Sequence, residues 1–134
     1  MTRLVEIEGI GETYSGKLQA AAIESQEQLL EAGATSAGRK ALAEKTGIGG
    51  GLILNWVNRA DLARVKGIGE EYADLLECSG VDTVPELAQR NVENLLATMT
   101  EVNAEKNCVR KLPTQEQVTA WCEQAKKLSR VVTY

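Results

Sequence analysis

The chain has 134 residues, of which 43% are hydrophobic and 25% charged, and its formal net charge is −4. This composition is typical of a globular protein, and no apolar run approaches the roughly 20 residues of a membrane-spanning helix. The acidic N-terminus has no apolar segment of the secretory type, so we expect a cytoplasmic protein without a membrane partner. The sequence contains no histidine, the commonest general base. We therefore expect no catalytic residue and no enzymatic activity.

The three cysteines, Cys78, Cys108 and Cys122, are an odd number with wide and unequal spacings. Such spacings give neither a disulfide framework nor a metal-ligand pair of the C-x-x-C type. We interpret the three residues as free thiols with ordinary packing or surface roles. The sequence accordingly predicts no cofactor and no bound metal.

A motif occurs twice in the chain, 58 residues apart. IEGIGETY at residues 7–14 aligns with VKGIGEEY at residues 65–72, and the match continues at Leu18 with Leu76. Self-similarity at a fixed offset indicates that one structural unit is present twice.

The second halves of the two copies also match, but with an offset of 65 residues. LILNWVNRA at residues 52–60 aligns with QVTAWCEQA at residues 117–125, which places Trp56 opposite Trp121. The larger offset indicates an insertion in the second copy, near residues 104–114. We interpret both tryptophans as core residues, with stacking on nucleic-acid bases as the alternative.

The spacing of apolar residues predicts helices throughout the chain. Apolar positions recur three or four residues apart, and alternation of period two is absent. Ser25 and Thr83 are predicted N-caps, and Glu86, three residues after Thr83, completes a predicted capping box. We expect an all-α fold of about eight to ten short helices without a sheet. Its two tandem repeats, residues 1–62 and 63–134, are expected to pack as one compact domain.

Two Gly-Ile-Gly turns, Gly9–Gly11 and Gly67–Gly69, carry the functional signal. Glycine permits a positive φ and a close backbone approach, and the central isoleucine fills the space between two helices. The second glycine opens a helix whose first N–H groups point outward. Such amides, together with the helix dipole, form a site suited to a phosphate group.

The residues after each turn extend the match. A small residue lies four positions after the second glycine and an aliphatic residue three further on, namely Ser15 and Leu18, then Ala73 and Leu76. With the two turns, this pattern resembles the helix-hairpin-helix superfamily, and in particular an uncharacterised bacterial family of tandem helix-hairpin-helix repeat proteins. The resemblance covers nearly the whole chain. It implies two tandem helix-hairpin-helix repeats and sequence-independent binding to the DNA backbone.

A third glycine-rich turn, Gly47–Gly51, is the preferred contact if DNA is bound. The first two turns are followed by Glu12, Glu70 and Glu71, and carboxylates at a helix N-terminus complement its dipole where a phosphate would lie. The third turn lacks such acids, and its counterpart in the second repeat is placed near Glu101–Asn103. The predicted nucleic-acid-binding residues are Lys45, Gly47, Ile48, Gly49, Gly50, Arg59, Arg64, Lys66, Gly67, Gly69, Gly9 and Gly11.

Charge alternates along the chain. The net charge is −4 over residues 1–38, +4 over 39–66, −8 over 67–105 and +4 over 106–134. This pattern suits a basic strip for nucleic acid, or pairing with a protein partner or another copy. The alternative function is therefore a protein-interaction or scaffold module without DNA binding, which an isoelectric point near 5.0 favours. Solvated helix faces without any partner are the remaining interpretation.

Overall fold

The computed structural model describes residues 3–7 and 9–133, so Glu8 of the first glycine motif lies outside the described part. Within these residues a short 3₁₀ segment, Leu4–Glu6, precedes eight α-helices and no strand occurs, which confirms the predicted all-α class. No described helix combines the length and apolar character needed to cross a membrane. In chain order the helices are α1 (Glu12–Ala20), α2 (Gln26–Ala32), α3 (Ser36–Thr46), α4 (Gly50–Leu62), α5 (Glu70–Cys78), α6 (Val84–Ala88), α7 (Val92–Lys106) and α8 (Gln115–Lys127).

Of the two predicted N-caps, Ser25 forms a capping hydrogen bond to α2, whereas Thr83 forms none to α6. Ser25 is the N-cap of α2, and its hydroxyl accepts a hydrogen bond from the N–H three residues on at 3.2 Å. Thr83 precedes α6, but its side chain accepts no capping bond, so the capping box predicted with Glu86 is wrong. Pro85 removes one amide from which a cap could accept. Glu86 instead accepts a bond from the N–H of Asp82 at 3.3 Å.

The chain divides into two compact units near the end of α4. The first unit ends at Asp61 and also takes in the C-terminal segment from Val131, whereas the second unit is Leu62–Arg130. The boundary predicted between residues 62 and 63 places that C-terminal segment in the second repeat instead. The segment belongs to the first unit because Val132 is buried in its core.

Arg39 fixes the C-terminal segment within the first unit. Its side chain is buried, and its guanidinium donates hydrogen bonds to the carbonyls of Gly33 at 2.9 Å, Ala34 at 3.1 Å and Thr133 at 2.7 Å. The N–H of Thr133 in turn donates to the Ala34 carbonyl at 2.8 Å. These carbonyl oxygens compensate the guanidinium for the water that it loses on burial.

Each unit has its own hydrophobic core, and each core contains one tryptophan. Trp56 is 1% exposed and Trp121 is 2% exposed, which confirms that both are core residues. The core of the first unit consists of Leu4, Ile7, Ile10, Leu18, Ile23, Leu29, Leu42, Ile48, Ile53, Trp56, Val57, Ala60 and Val132. The core of the second unit consists of Leu62, Val65, Ile68, Ala73, Leu75, Leu76, Val81, Val84, Leu87, Leu95, Met99, Val109, Val118, Trp121, Cys122 and Ala125.

The tryptophan of each unit packs against the first glycine of that unit's Gly-Ile-Gly turn. A Cβ atom at Gly9 would lie 3.4 Å from Trp56 Nε1, and one at Gly67 would lie 2.9 Å from Trp121 Nε1. The two glycines have φ values of 93° and 97°, a region that other residues rarely adopt. In both units a tyrosine ring lies 5.1 Å from the same indole, centroid to centroid. The turn, the first helix and the last helix of each unit therefore meet at one aromatic pair.

The two units differ in the connection before their last helix. Residues 47–49 join α3 to α4, whereas residues 107–114 join α7 to α8, and the last three residues of α7 fall within the predicted insertion. Both connections begin with a left-handed residue, Gly47 at φ 72° and Asn107 at φ 55°. The predicted counterpart of the third turn, Glu101–Asn103, was wrong because these residues lie inside α7.

Replacing Gly67 with alanine should destabilise the second unit. A side chain at positive φ costs roughly 1–3 kcal/mol, and the new Cβ would lie 2.9 Å from Trp121 Nε1. We expect the free energy of unfolding to fall by roughly 2–4 kcal/mol, since overpacking adds to the backbone strain. Urea denaturation followed by circular dichroism measures this loss.

Gly69→Ala is the matched control for Gly67→Ala. Gly69 has φ −95°, and a Cβ there would have no atom within 4 Å. Its effect should stay within about 1 kcal/mol, because the lower entropy of the unfolded chain offsets a weaker N-cap. Equal losses for the two variants would contradict the role assigned to the contact between Gly67 and Trp121.

Arg39→Ala should release the C-terminal segment from the first unit. Hydrogen bonds that involve a charged group contribute roughly 1.5–3 kcal/mol each, so we expect the free energy of unfolding to fall by at least about 2 kcal/mol. Lys40→Ala changes the neighbouring exposed lysine and should cost less than about 0.5 kcal/mol. Urea denaturation of both variants is the measurement, and a similar loss in the two would show that this guanidinium does not hold the segment.

Candidate functional site

The second Gly-Ile-Gly turn presents backbone at the start of α5. The N–H of Ile68 donates to the Val65 carbonyl at 3.2 Å, and the Ile68 side chain is buried in the core, as predicted for the central residue of the turn. Gly69 is the N-cap of α5 and has an extended conformation. Because Gly69 has no side chain, it leaves space beside the first N–H groups of the helix.

The loop of residues 107–114 brings two cations to this turn. Arg110 and Lys111 line an open surface concavity of about 430 Å³ together with the turn and the first turn of α5. The Tyr72 hydroxyl donates to the Lys111 carbonyl at 3.2 Å, which ties the loop to α5. The complete lining consists of Gly67, Gly69, Glu70, Glu71, Tyr72, Arg110 and Lys111.

The loop is also held from its other side by α7. Asn103 accepts a hydrogen bond from the Val109 N–H at 3.0 Å and donates from its amide to the Val109 carbonyl at 3.2 Å. The Val109 side chain is buried in the core of the second unit. The backbone immediately before Arg110 is therefore fixed by side-chain hydrogen bonds and by burial.

Charges of both signs meet in this concavity. Glu70 and Glu71 stand in the first turn of α5, while Arg110 and Lys111 come from the loop, and all four are exposed. The glutamates complement the positive end of the helix dipole, whereas the two cations favour an anion at the same place. The helix end thus remains accessible to solvent, with two positive side chains beside it.

The first Gly-Ile-Gly turn has the same local geometry. Ile10 is buried, its N–H donates to the Ile7 carbonyl at 3.1 Å, and Gly11 is the extended N-cap of α1. Glu12 in the first turn of α1 is exposed. The predicted contacts Gly9 and Gly11 are therefore surface backbone at a helix N-terminus that also carries a carboxylate.

The third glycine turn joins two helices by a short left-handed corner. Gly47 ends α3, and its N–H donates to the Ala43 carbonyl at 2.9 Å. Gly49 and Gly50 are exposed and no acidic residue occurs in the first turn of α4. Lys45 is exposed in the last turn of α3. Four of the residues predicted to contact nucleic acid at this turn are therefore exposed, namely Lys45, Gly47, Gly49 and Gly50.

Two of the residues predicted as contacts are buried. Ile48 is 4% exposed and belongs to the core of the first unit. Arg59 is 9% exposed, because it lies three residues after Trp56 on the inner face of α4. Neither side chain can be a principal contact for a ligand at the surface.

Arg64 and Lys66 lie before the second glycine turn. The guanidinium of Arg64 donates to the Ser129 carbonyl at 2.8 Å. The backbone of Lys66 pairs with the Gln124 amide, as donor at 3.0 Å and as acceptor at 3.2 Å, while the residue itself is exposed. Of the predicted cations in this segment, Lys66 is the one that adjoins Gly67 with an exposed side chain.

A second cluster joins two of the three cysteines. The Sγ atoms of Cys78 and Cys108 and a carboxylate oxygen of Asp74 all lie within 4.8 Å of one another, and the three residues are half-buried. Burial, together with Cys78 and Asp74, raises the pKa of Cys108 to about 11. Cys122 lies in the core, and its burial raises its pKa.

Both groups of residues were missed in the sequence for a physical reason. Arg110 and Lys111 occur in the insertion, which is the part of the second copy that the repeat does not describe. Cys78 and Cys108 are 30 residues apart in sequence, so their spacing resembles no metal-binding motif. The two adjacent basic residues of the insertion, Arg110 and Lys111, were the sequence feature that could have indicated the first group.

One protein family matches the chain. The family is described as a domain of unknown function (DUF4332), and the match extends over residues 8–128. No curated protein and no solved structure matches the sequence. The chain therefore belongs to the DUF4332 family, a family defined as a domain of unknown function.

Proposed function

We propose that this protein is a non-catalytic, cytoplasmic module that binds the backbone of nucleic acid without regard to sequence. The observation that carries the proposal is the meeting of Arg110 and Lys111 with the glycine turn at the start of α5. We assign the turn to the helix-hairpin-helix type. The same combination of positive-φ glycine, buried isoleucine and N-cap glycine in both units supports that assignment.

A phosphate is the anion that this arrangement suits. Backbone N–H groups at a helix N-terminus and the positive end of the helix dipole attract phosphate oxygens, and such contacts carry no sequence information. Gly69 has no side chain to obstruct a phosphate, and Arg110 and Lys111 supply positive charge beside it. Lys66, next to Gly67, adds a third exposed cation.

The turn at Gly47–Gly51 is the proposed second contact. It opens α4 without an acidic residue in the first turn, and Lys45 is exposed beside it in the sequence. No carboxylate at the start of α4 repels a phosphate. A contact with the nucleic-acid backbone therefore needs fewer positive side chains there than at the turn of the second unit. Each unit would then contribute one glycine turn.

The alternative predicted from the sequence, a protein-interaction module, is favoured by one observation. Glu70 and Glu71 are exposed at the same helix end, within a segment of residues 67–105 whose net charge is −8. A basic protein surface would find complementary charge there. The two functions are distinguished by whether the protein binds DNA and by whether that binding depends on Arg110 and Lys111.

Fluorescence anisotropy with short labelled single- and double-stranded DNA tests the proposal. We expect weak binding at low salt, with a slope of log K against log salt of about −2 to −3, because roughly three phosphates are neutralised. Arg110→Glu with Lys111→Glu should abolish the binding. Lys45→Glu alone, in the chain that retains Arg110 and Lys111, should weaken the binding without abolishing it.

Lys17→Glu with Lys40→Glu is the control for this experiment, since it makes the same change in net charge with exposed lysines outside the three glycine turns. Binding should survive in this variant with a smaller loss of affinity. Absence of binding by the wild-type chain at micromolar concentration in low salt would overturn the nucleic-acid proposal and leave the protein-interaction module. Circular dichroism checks that each variant is folded.

Glu70→Gln with Glu71→Gln should strengthen DNA binding by about tenfold, because each exposed charge removed beside a phosphate changes the free energy of binding by up to about 1 kcal/mol. Glu24→Gln with Glu31→Gln removes two exposed charges elsewhere and should change the affinity much less. The same anisotropy titration measures both variants. An equal gain in the two would show that net charge, and not the turn at α5, determines the affinity.

A further inference from the structure

We propose that Asp74, Cys78 and Cys108 form a binding site for a soft divalent cation of the zinc class, with one coordination position open to solvent. The site is distinct from the glycine turns and does not depend on the proposed binding of nucleic acid. Its three candidate ligand atoms, two sulfurs and one carboxylate oxygen, lie within 4.8 Å of one another.

This separation suits tetrahedral coordination. Bonds of about 2.3 Å to sulfur and about 2.0–2.2 Å to carboxylate oxygen place neighbouring ligand atoms of zinc roughly 3.6–3.8 Å apart. Ligand atoms already within 4.8 Å can reach that distance by small side-chain rotations. Three protein ligands leave the fourth position to water, since the three residues are half-buried and solvent reaches them.

The backbone places the ligands from two directions. Asp74 and Cys78 are four residues apart in α5, so they lie on the same face of the helix one turn apart. Cys108 follows Asn107, whose left-handed conformation ends α7 with a hydrogen bond from its N–H to the Asn103 carbonyl at 2.8 Å. On the other side, Val109 is paired with the Asn103 side chain. Cys108 is thus held between two fixed residues.

The chemistry of the three groups favours a soft cation. Thiolates select zinc-like ions over magnesium and calcium, which prefer oxygen ligands alone. A bound divalent cation stabilises the thiolate form of a cysteine directly, so Cys78 and Cys108 would lose their protons on binding. Two thiolates and the Asp74 carboxylate would then surround the cation.

Cobalt(II) is the probe for the first experiment, because a thiolate-bound cobalt ion has charge-transfer and visible absorption bands that report its ligands. The full chain without a histidine tag is titrated with cobalt(II) in the presence of a non-thiol reductant, and zinc(II) is then added. The chain contains no histidine, so few other sites compete. We expect one cobalt ion per chain, bands of thiolate coordination, and displacement by zinc.

Variants identify the ligands. Cys78→Ser and Cys108→Ser should abolish the thiolate bands, and Asp74→Asn should weaken zinc binding by at least about tenfold, the smallest loss typical even of outer-shell partners. Cys122→Ala is the matched control, since Cys122 lies in the core and outside the cluster. It should bind cobalt(II) with unchanged stoichiometry and spectrum.

Thermal unfolding provides a second measurement that does not depend on the spectrum. Zinc should raise the melting temperature of the wild-type chain and of Cys122→Ala, but not of the variant in which both Cys78 and Cys108 are serine. Three results would overturn the proposal. They are no stoichiometric binding by the folded, reduced wild-type chain, unchanged binding in the double serine variant, and a Cys78–Cys108 disulfide whose reduction restores no metal binding.

Discussion

The packing of a tryptophan against a positive-φ glycine is the contact on which each unit depends. It joins the turn before the first helix of a unit to the last helix of the same unit, through Gly9 and Trp56 in one and Gly67 and Trp121 in the other. Both turns favour glycine because of their positive φ, and at Gly67 the indole also occupies the place of a side chain. The isoleucine that follows is then directed into the core, and the next glycine opens a helix toward solvent. The exposed helix N-terminus is therefore a consequence of how the core is closed.

Much of the fold could be predicted because local sequence determines it. Helical periodicity, the repeated motif and the aligned tryptophans each depend on residues close together in the chain, and the structure confirms the helical class and the burial of the indoles. The burial of Arg59 was not predicted, since its charge suggests a surface position, although its spacing of three residues from Trp56 places it on the inner face of α4. The missing cap at Thr83 reflects a different use of the same groups, since the Glu86 carboxylate accepts from the Asp82 N–H and from the Thr83 hydroxyl. The attachment of Val132 to the first unit is a contact between distant parts of the sequence.

The candidate sites were harder to predict because both depend on the loop of residues 107–114. A repeat predicts what two copies share, and this loop is where the second unit departs from the first. Successive residues of the loop contribute to different places: Cys108 to the thiol cluster, Val109 to the core, and Arg110 with Lys111 to the glycine turn. Such a division requires the loop to be fixed in three dimensions. The sequence shows the insertion and its charges, but not the hydrogen bonds that direct each side chain.

Helix stability and anion affinity oppose each other at the start of α1 and α5. Glu12, Glu70 and Glu71 each complement the helix dipole by about 0.3–1 kcal/mol, and the same carboxylates repel a phosphate. In the second unit Arg110 and Lys111 lie beside the same helix end, so the proposed nucleic-acid contact there would depend on charges from outside the glycine turn. Two weak contacts on one chain raise the overall affinity when both bind the same nucleic-acid strand, because the second contact then forms intramolecularly. For the proposed function, affinity would therefore come from the combination of turns and loop cations, and it would decrease with ionic strength.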